Sequence, residues 1–163
     1  MIPHLLIREI HQTEISFLDD MLYEAIFIPV GEEKLPRETI NQPELSRYIK
    51  NFGQTCDICL VAEFHGKLIG AIWTRVYNEN EKGYGFVNNS TPELSMALFE
   101  EYRHRGIGTL LLKEMIQKLI EHNYKRVSLS VDKRNYAYDF YKRFGFEIFD
   151  SDEKEAIMIK KLQ

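Results

Sequence analysis

A strand pattern, a turn with two glycines and a helix pattern follow one another in Leu94-Ser95-Met96-Ala97-Leu98-Phe99-Glu100-Glu101-Tyr102-Arg103-His104-Arg105-Gly106-Ile107-Gly108-Thr109. Glycine at such a junction permits backbone angles and a close ligand approach that a Cβ would obstruct. The first turn of the helix has N–H groups without intrahelical partners, and the helix dipole adds partial positive charge there. Arg103, His104 and Arg105 add basic side chains. The segment therefore predicts an anion site that suits a pyrophosphate.

Two common phosphate-binding patterns do not fit this segment. The last glycine of G-x-G-x-x-G would fall at Leu111, and G-x-x-x-x-G-K-[ST] does not occur in the chain. The segment instead resembles [QR]-x-x-G-x-[GA], the acetyl-coenzyme A signature of the GNAT family of N-acetyltransferases. Arg103, Gly106 and Gly108 occupy the fixed positions of that signature.

The surroundings of the signature strengthen the resemblance. A strand precedes it, Tyr102 stands immediately before it, and an amphipathic helix follows it, as in the family. The family's second signature is a strand, then an Asn, then a helix that ends in Tyr-x-x-x-Gly-Phe. Asn135, Tyr141, Gly145 and Phe146 match it. Both signatures stand in the family's order and spacing, whereas the N-terminal third of the chain matches only in the order of its elements.

The hydrophobic patterns predict strands that alternate with helices. Strands are expected at 5–9, 58–64, 67–77, 93–98, 126–131, 146–149 and 156–159, and a loop at 78–90. Helices are expected after Thr13, after Pro43, and over 106–122 and 135–144. The resemblance implies an α/β (α+β) fold of the GNAT type. Its central sheet is mixed and mostly antiparallel, with about six or seven strands, about four flanking helices and one splayed parallel strand pair. No linker or repeat divides the chain, so we expect a single domain over 1–163.

The resemblance also implies where acetyl-coenzyme A binds as a cosubstrate. The backbone of Met96, Ala97 and Leu98 would pair with the pantetheine arm, and one N–H there would stabilise the oxyanion. The pyrophosphate would be wrapped by Arg103, His104, Arg105, Gly106, Ile107, Gly108 and Thr109. Asn135 would contact the coenzyme or only cap the short helix. Tyr138 would also belong to the residues that bind the coenzyme.

Two residues are implied as catalytic groups. Tyr141 matches the family's usual general acid, which protonates the departing thiolate, and Tyr138 one turn earlier is its competitor. Glu93, at the start of the strand before the signature, lies close to the position that some family members use for a general base. Other members use a Glu at the position of Ser130, which excludes that candidate here. A water chain is the alternative base.

The composition limits the partners. The chain has 163 residues, of which 44% are hydrophobic and 28% charged, and its net charge is −4. These values are typical of a globular protein and argue against nucleic acid as the main partner. No apolar run approaches the ~20 residues of a membrane span, and the N-terminus does not resemble a secretion signal. We therefore expect a cytoplasmic protein without a membrane partner. Dimers are common among similar proteins, so a homodimer is one expectation.

The two cysteines stand in a C-x-x-C pattern, which suits a redox pair or half of a zinc site. A zinc site would need two further ligands, and the sequence holds no second pair and no histidines at ligand spacing. A strand pattern over 55–62 would place Cys56 and Cys59 on opposite faces of the sheet. We therefore expect two reduced thiols in a sheet and no metal cofactor.

Acetyl transfer to a primary amine is the function that these patterns favour. The sequence shows no Cys or Ser nucleophile with a His partner, which favours direct attack in a ternary complex over a covalent intermediate. The acceptor would be a small molecule or a peptide amine. Its pocket would come from the N-terminal helices and the 77–90 loop. Two sets of side chains are candidates for it: an aromatic wall of Trp73, Tyr77, Tyr84 and Phe86, and the acidic residues Glu24, Glu32 and Glu33. Core or loop packing is the alternative role for the aromatic residues, and solvated surface charge is the alternative for the acidic ones. The alternative is a non-catalytic module that binds or senses acetyl-coenzyme A.

Overall fold

Seven strands and four α-helices occupy residues 2–163, the part of the chain that the computed structural model describes. The strands are β1 (Leu5–Glu9), β2 (Ile58–Phe64), β3 (Lys67–Arg75), β4 (Glu93–Leu98), β5 (Arg126–Asp132), β6 (Glu147–Ser151) and β7 (Glu155–Lys161). The helices are α1 (Phe17–Ala25), α2 (Pro43–Ser46), α3 (Ile107–Glu121) and α4 (Ala137–Arg143).

The strands form one sheet in the order β1-β2-β3-β4-β5-β7-β6. Every neighbouring pair is antiparallel except β4 and β5, which are parallel and connected through α3. The predicted mixed sheet with one parallel pair is confirmed, as is the expected number of strands and helices.

The parallel pair diverges almost at once. Only Glu93 and Ser128 face each other in register, and the Ser128 N–H donates to the Pro92 carbonyl at 3.0 Å. The rest of β4 pairs with β3 along one edge, while its other edge is not in register with β5. The sheet therefore opens into a gap toward the end of β4, directly before the glycine segment.

Helix α3 and helix α1 cover opposite faces of the sheet. The apolar side of α3, including Leu111 and Met115, packs on a core with Leu94 and Leu98 of β4. Helix α1 packs on a second core that includes Ala97. Because side chains alternate along a strand, Glu93 projects to the same face as Ala97, which is the α1 face.

The first helix begins later than predicted. The Glu14 carboxylate binds the Arg8 guanidinium at 2.9 Å, and it accepts the backbone N–H three residues earlier at 2.8 Å. These bonds hold the residues around Thr13 in a short 3-10 turn. Helix α1 therefore begins at Phe17, and Thr13 is not its cap.

The prediction that both cysteines lie in a strand is wrong for Cys56. The Asp57 carboxylate accepts two backbone N–H groups of the preceding turn and pairs with the Arg75 guanidinium at 3.1 Å. Because Asp57 belongs to this turn, β2 begins only at the next residue. Cys56 is exposed outside the sheet, Cys59 is buried inside it, and neither forms a disulfide.

Candidate active site

A cavity of about 660 Å³ lies in the gap between β4 and β5. Four parts of the chain line it: the end of β4, the glycine segment after it, the start and inner side of α4, and the segment that follows α1. We call this cavity the cleft. The prediction of a splayed strand pair therefore corresponds to a real space at the place where the two strands separate.

The glycine segment presents an open helix start to the cleft. Gly106 precedes α3 with φ of 85°, a left-handed conformation that favours glycine. Leu110 is the first residue to bond back, to the Gly106 carbonyl at 3.3 Å, so the N–H groups of the first turn have no partner within the helix. A Cβ at Gly106 would meet nothing within 4 Å. The space in front of these amides is therefore free for an anion.

Arg103 connects two elements beside the cleft. Its guanidinium donates to the Leu98 carbonyl at 3.0 Å and to the Glu24 carbonyl at 3.3 Å, and it lies 3.5 Å from the Glu24 carboxylate. The end of α1 is thereby fixed to the end of β4. Arg103 lines the cleft, but its guanidinium is already engaged with protein groups, so it is not a free cation of the phosphate site.

His104 and Arg105 point in different directions. The His104 ring lies 4.5 Å from the ring of Tyr136, which connects the glycine segment to the start of α4. The guanidinium of Arg105 lies over the ring of Tyr102 at 5.8 Å and does not line the cleft. His104 therefore lines the cleft, whereas Arg105 lies outside its lining.

The two tyrosines of α4 differ in their surroundings. Tyr141 is 6% exposed and lines the cleft, and burial raises the pKa of its hydroxyl, which therefore keeps its proton. Tyr138 does not line the cleft, and the Lys142 ammonium lies 4.3 Å from its ring. Asn135 lines the cleft while its side-chain oxygen accepts the Ala137 N–H at 3.0 Å. Of these two tyrosines, Tyr141 is therefore the one that borders the cleft.

Glu93 is buried and does not line the cleft. The Tyr48 hydroxyl donates a 2.5 Å hydrogen bond to its Oε2. Gly83, in the loop between β3 and β4, lies so close that an added Cβ would stand 2.2 Å from Oε1. Burial raises the pKa of Glu93 to about 7, although the hydrogen bond from Tyr48 opposes this effect. A carboxyl with such a pKa can exchange a proton near neutral pH.

Comparisons with known proteins place this geometry in a family. The sequence model of the Acetyltransferase (GNAT) family matches residues 21–146. The chain belongs to the GNAT family.

Among the relatives is the spermidine N(1)-acetyltransferase of Thermoplasma acidophilum, which is 27% identical over 86% of this chain and 83% of its own length. The probable N-acetyltransferase san of Drosophila melanogaster is 29% identical over 60% of this chain, which spans about half (51%) of that relative. The crystal structure of the PaiA N-acetyltransferase from Thermoplasma acidophilum in complex with coenzyme A superposes with a TM-score of 0.68. The superposition covers 96% of this chain and 98% of the Thermoplasma chain, and the two sequences are 23% identical.

Most of the residues predicted for this GNAT site are brought together by the fold. Those that line the cleft are Met96, Ala97, Leu98, Arg103, His104, Gly106, Gly108, Thr109, Asn135 and Tyr141. Those that do not line it are Glu93, Arg105, Ile107 and Tyr138. Ile107 is 2% exposed because its side chain belongs to the core under α3. Their contacts with a coenzyme stay predictions.

The acceptor pocket predicted from four aromatic residues is placed elsewhere, because none of Trp73, Tyr77, Tyr84 and Phe86 lines the cleft. Trp73 and Tyr77 are buried in the sheet and its neighbouring core, and Phe86 packs near them. Tyr84 and Phe86 belong to the loop between β3 and β4, where Tyr84 is exposed and Phe86 packs on the core that contains Tyr77. The four aromatic side chains do not form a wall for a substrate.

Sequence reasoning identified the segment after α1 only through Glu32 and Glu33, as acidic groups that would attract an amine, and of these two Glu32 lines the cleft. Residues 26–35 line the cleft almost without interruption. Phe27 lies 5.7 Å beneath the Arg134 guanidinium on the α4 side, and the Lys34 ammonium lies 3.7 Å from Glu100 on the β4 side. The segment therefore crosses the cleft. Its run of apolar residues, Ile26-Phe27-Ile28-Pro29-Val30, lies outside any predicted helix or strand, and this run was the available signal in the sequence. In the structure Val30 is fully exposed.

Within residues 2–163, no three His, Cys, Asp or Glu side chains come together as a set that could hold a metal ion. Over the same residues, none of the helices combines the length and the apolar character that crossing a membrane requires.

The buried carboxyl predicts a pH-dependent stability. The pKa of Glu93 in the folded chain, about 7, lies above its ordinary value of 4.5, so the protonated form stabilises the fold. That contribution is complete below about pH 4.5 and is lost as the pH rises through 7. Relative to Glu93→Gln, the unaltered protein should lose up to about 3 kcal/mol of unfolding free energy between pH 4.5 and 9, as measured by urea denaturation.

The matched control is Glu33→Gln, which removes an exposed carboxyl in the segment after α1. Its difference from the unaltered protein should stay nearly constant over the same pH range. A constant difference for Glu93→Gln as well would show that Glu93 does not titrate with a raised pKa.

Proposed function

We propose that this chain is an N-acetyltransferase that moves an acetyl group from acetyl-coenzyme A to a primary amine by direct attack in a ternary complex. One observation carries the proposal: the open N-terminus of α3 and the hydroxyl-bearing side chain of Tyr141 border the same cleft, which lies along the free edge of β4. Family membership and the coenzyme A complex of the Thermoplasma protein support it.

The coenzyme lies along the gap between the parallel strands. Its pyrophosphate accepts hydrogen bonds from the free amides that begin at Gly106, where the helix dipole also favours an anion. Its pantetheine arm pairs with the free edge of β4 at Met96, Ala97 and Leu98. An N–H group of this edge stabilises the negative charge that develops on the thioester oxygen.

The acceptor amine attacks the thioester carbonyl carbon, so that a C–N bond forms and the C–S bond breaks. An alkylammonium has a pKa near 10, so it must lose a proton before it can attack. Glu93 takes this proton through water, because the carboxyl is buried on the α1 face and does not line the cleft. Tyr141 gives its proton to the departing thiolate, and the second proton that the nitrogen loses as the amide forms restores the Tyr141 hydroxyl through water. The raised pKa of Tyr141 keeps that proton available until the thiolate forms.

The acceptor enters at the end of the cleft formed by the segment after α1. Tyr23, Ile26 and Phe27 supply apolar surface there, and Glu32 supplies an acidic group. This combination suits an alkyl amine, whose carbon chain is apolar and whose nitrogen is cationic. The names of two relatives, a spermidine N(1)-acetyltransferase and an N-alpha-acetyltransferase, indicate the two acceptor classes to compare: polyamines and peptide N-termini.

The direct test is release of free coenzyme A thiol when the protein is mixed with acetyl-coenzyme A and single amines. The panel contains spermidine, free amino acids, and short peptides with free or blocked N-termini. We expect thiol release that depends on at least one primary amine, and an acetylated product by mass spectrometry. Tight coenzyme binding without thiol release for any amine would favour the non-catalytic sensor instead.

A second prediction concerns the amides before α3. Gly106→Trp should reduce the affinity for coenzyme A at least about 100-fold, because the indole fills the free space in front of them. Gly66→Trp is the matched control. Gly66 has a similar φ of 78° and equally open surroundings, but it lies in the turn between β2 and β3. Titration calorimetry measures both, and unchanged affinity for Gly106→Trp would place the pyrophosphate elsewhere.

A third prediction separates the two tyrosines of α4. Tyr141→Phe should lower kcat about 10²-fold or more while the affinity for coenzyme A stays within about 3-fold, because it removes only the proton donor. Tyr138→Phe should leave kcat nearly unchanged, since Tyr138 lies outside the lining of the cleft. If the two variants are equally active, the thiolate takes its proton from water.

A further inference from the structure

The two oxygens of the buried Glu93 carboxyl have different surroundings. Oε2 accepts the hydrogen bond from the Tyr48 hydroxyl at 2.5 Å. Among the described residues, Oε1 has no hydrogen-bond partner, although it is fully buried. Buried carboxyl oxygens are normally paired, because an unpaired one loses its hydration without compensation. The carboxyl is therefore held at one oxygen and left free at the other.

Tyr48 is itself held in one orientation. Its backbone carbonyl accepts the Trp73 indole N–H at 3.1 Å, and its hydroxyl oxygen accepts the Tyr84 backbone N–H at 2.7 Å. Because the hydroxyl already accepts from Tyr84, its own hydrogen is directed to the second short contact, which is Glu93. The Tyr48 ring also packs edge-on against Tyr77 at 5.6 Å. Tyr48 therefore donates to Glu93 and has no alternative acceptor in these contacts.

No cation within residues 2–163 forms an ion pair with Glu93. Its register partner on β3, Arg75, is 3.1 Å from Asp57 and donates to two backbone carbonyls. The Arg47 guanidinium donates to the carbonyls of Pro43 and Lys82. From the loop, the Gly85 N–H lies near enough to the carboxyl to lower its pKa but does not form a hydrogen bond with Oε1, and Tyr77 is the other titratable neighbour. Within the described part of the chain, Tyr48 is thus the one side chain that forms a hydrogen bond with the carboxyl.

We propose that Tyr48 is a positioning residue for the acetyl transfer: it fixes Oε2 of Glu93 and so reserves Oε1 as the atom that receives the acceptor's proton. The proposal rests on the proposed function. In the step, a water molecule gives a proton to Oε1 and takes one from the ammonium group of the acceptor. The O–H bond at Oε1 forms as the N–H bond breaks, and the amine nitrogen regains its lone pair. Tyr48 keeps its own proton throughout.

The test measures Glu93 directly and needs no turnover. In protein labelled with ¹³C-carboxyl glutamate, the Glu93 signal is assigned by its loss in Glu93→Gln, and its pH titration is followed by NMR. Tyr48→Phe removes a hydrogen bond that favours the charged form, so the midpoint should rise by about one pH unit. Tyr77→Phe is the matched control, because it removes a buried phenol hydroxyl from the same cluster that has no hydrogen-bond partner. It should leave the midpoint unchanged.

A kinetic experiment compares the same two variants, Tyr48→Phe and Tyr77→Phe, by the pH dependence of kcat with the acceptor identified in the amine panel. The acid limb of the kcat profile should move upward in Tyr48→Phe by the same amount as the NMR midpoint, while the affinity for coenzyme A stays unchanged. Tyr77→Phe should move neither. Amide NMR spectra of both variants verify that each is folded, and Tyr48→Leu, which removes the ring as well, should give the same direction of shift.

The outcomes separate the two proposals. An unmoved midpoint in Tyr48→Phe, or an equal shift in Tyr77→Phe, would overturn the role of Tyr48 and leave the acetyl transfer intact. A moved midpoint with an unmoved rate profile would also overturn that role, since Glu93 would then titrate outside catalysis. Absence of transfer by the unaltered protein with every amine would overturn the proposed function and the role of Tyr48 together.

Discussion

The separation of β4 from β5 after a single paired position is the constraint on which the site depends. The pairing of Glu93 with Ser128 is secured by the loop before β4: the Ser128 hydroxyl donates to the Gly85 carbonyl at 2.7 Å. Gly85 lies so close to β5 that a Cβ would stand 2.7 Å from the Leu129 carbonyl carbon. The loop backbone thus lies against β5 just after the paired residue. One edge of β4 remains free as a result, and the cleft lies along it.

Much of the fold could be predicted because its signals are local. The left-handed turn at Gly106 and the apolar side of α3 lie within one continuous segment, so short-range pattern and turn chemistry identify them. The hairpin of β2 and β3 is equally local, since His65 and Gly66 both adopt positive φ in its turn. The GNAT resemblance added the topology that these local signals leave open, namely which strands are neighbours and where they separate.

The rest of the site depends on contacts between distant parts of the chain. Tyr48 and Glu93 are 45 residues apart, and Arg103 and Glu24 are 79 apart. Neither pair has a spacing that periodicity or a motif can reveal. At Arg103 the signature predicts a coenzyme contact and is silent about a second role, since the Arg103 guanidinium also joins α1 to β4. A charged residue in a sequence indicates that some group will bind it. Which group that is depends on what the fold brings within hydrogen-bond distance.

The environment of Glu93 is difficult to explain by stability alone. Among residues 2–163, this carboxyl is 3% exposed, has one unpaired oxygen and forms no ion pair, so it destabilises the folded chain above its own pKa. An amide at this position could still accept from Tyr48 without carrying that charge. Groups whose pKa is shifted toward neutrality by burial are concentrated at catalytic sites, since a proton acceptor works best when its pKa lies near the working pH. The same burial that weakens the fold at high pH therefore makes this carboxyl suitable for exchanging a proton with the acceptor amine.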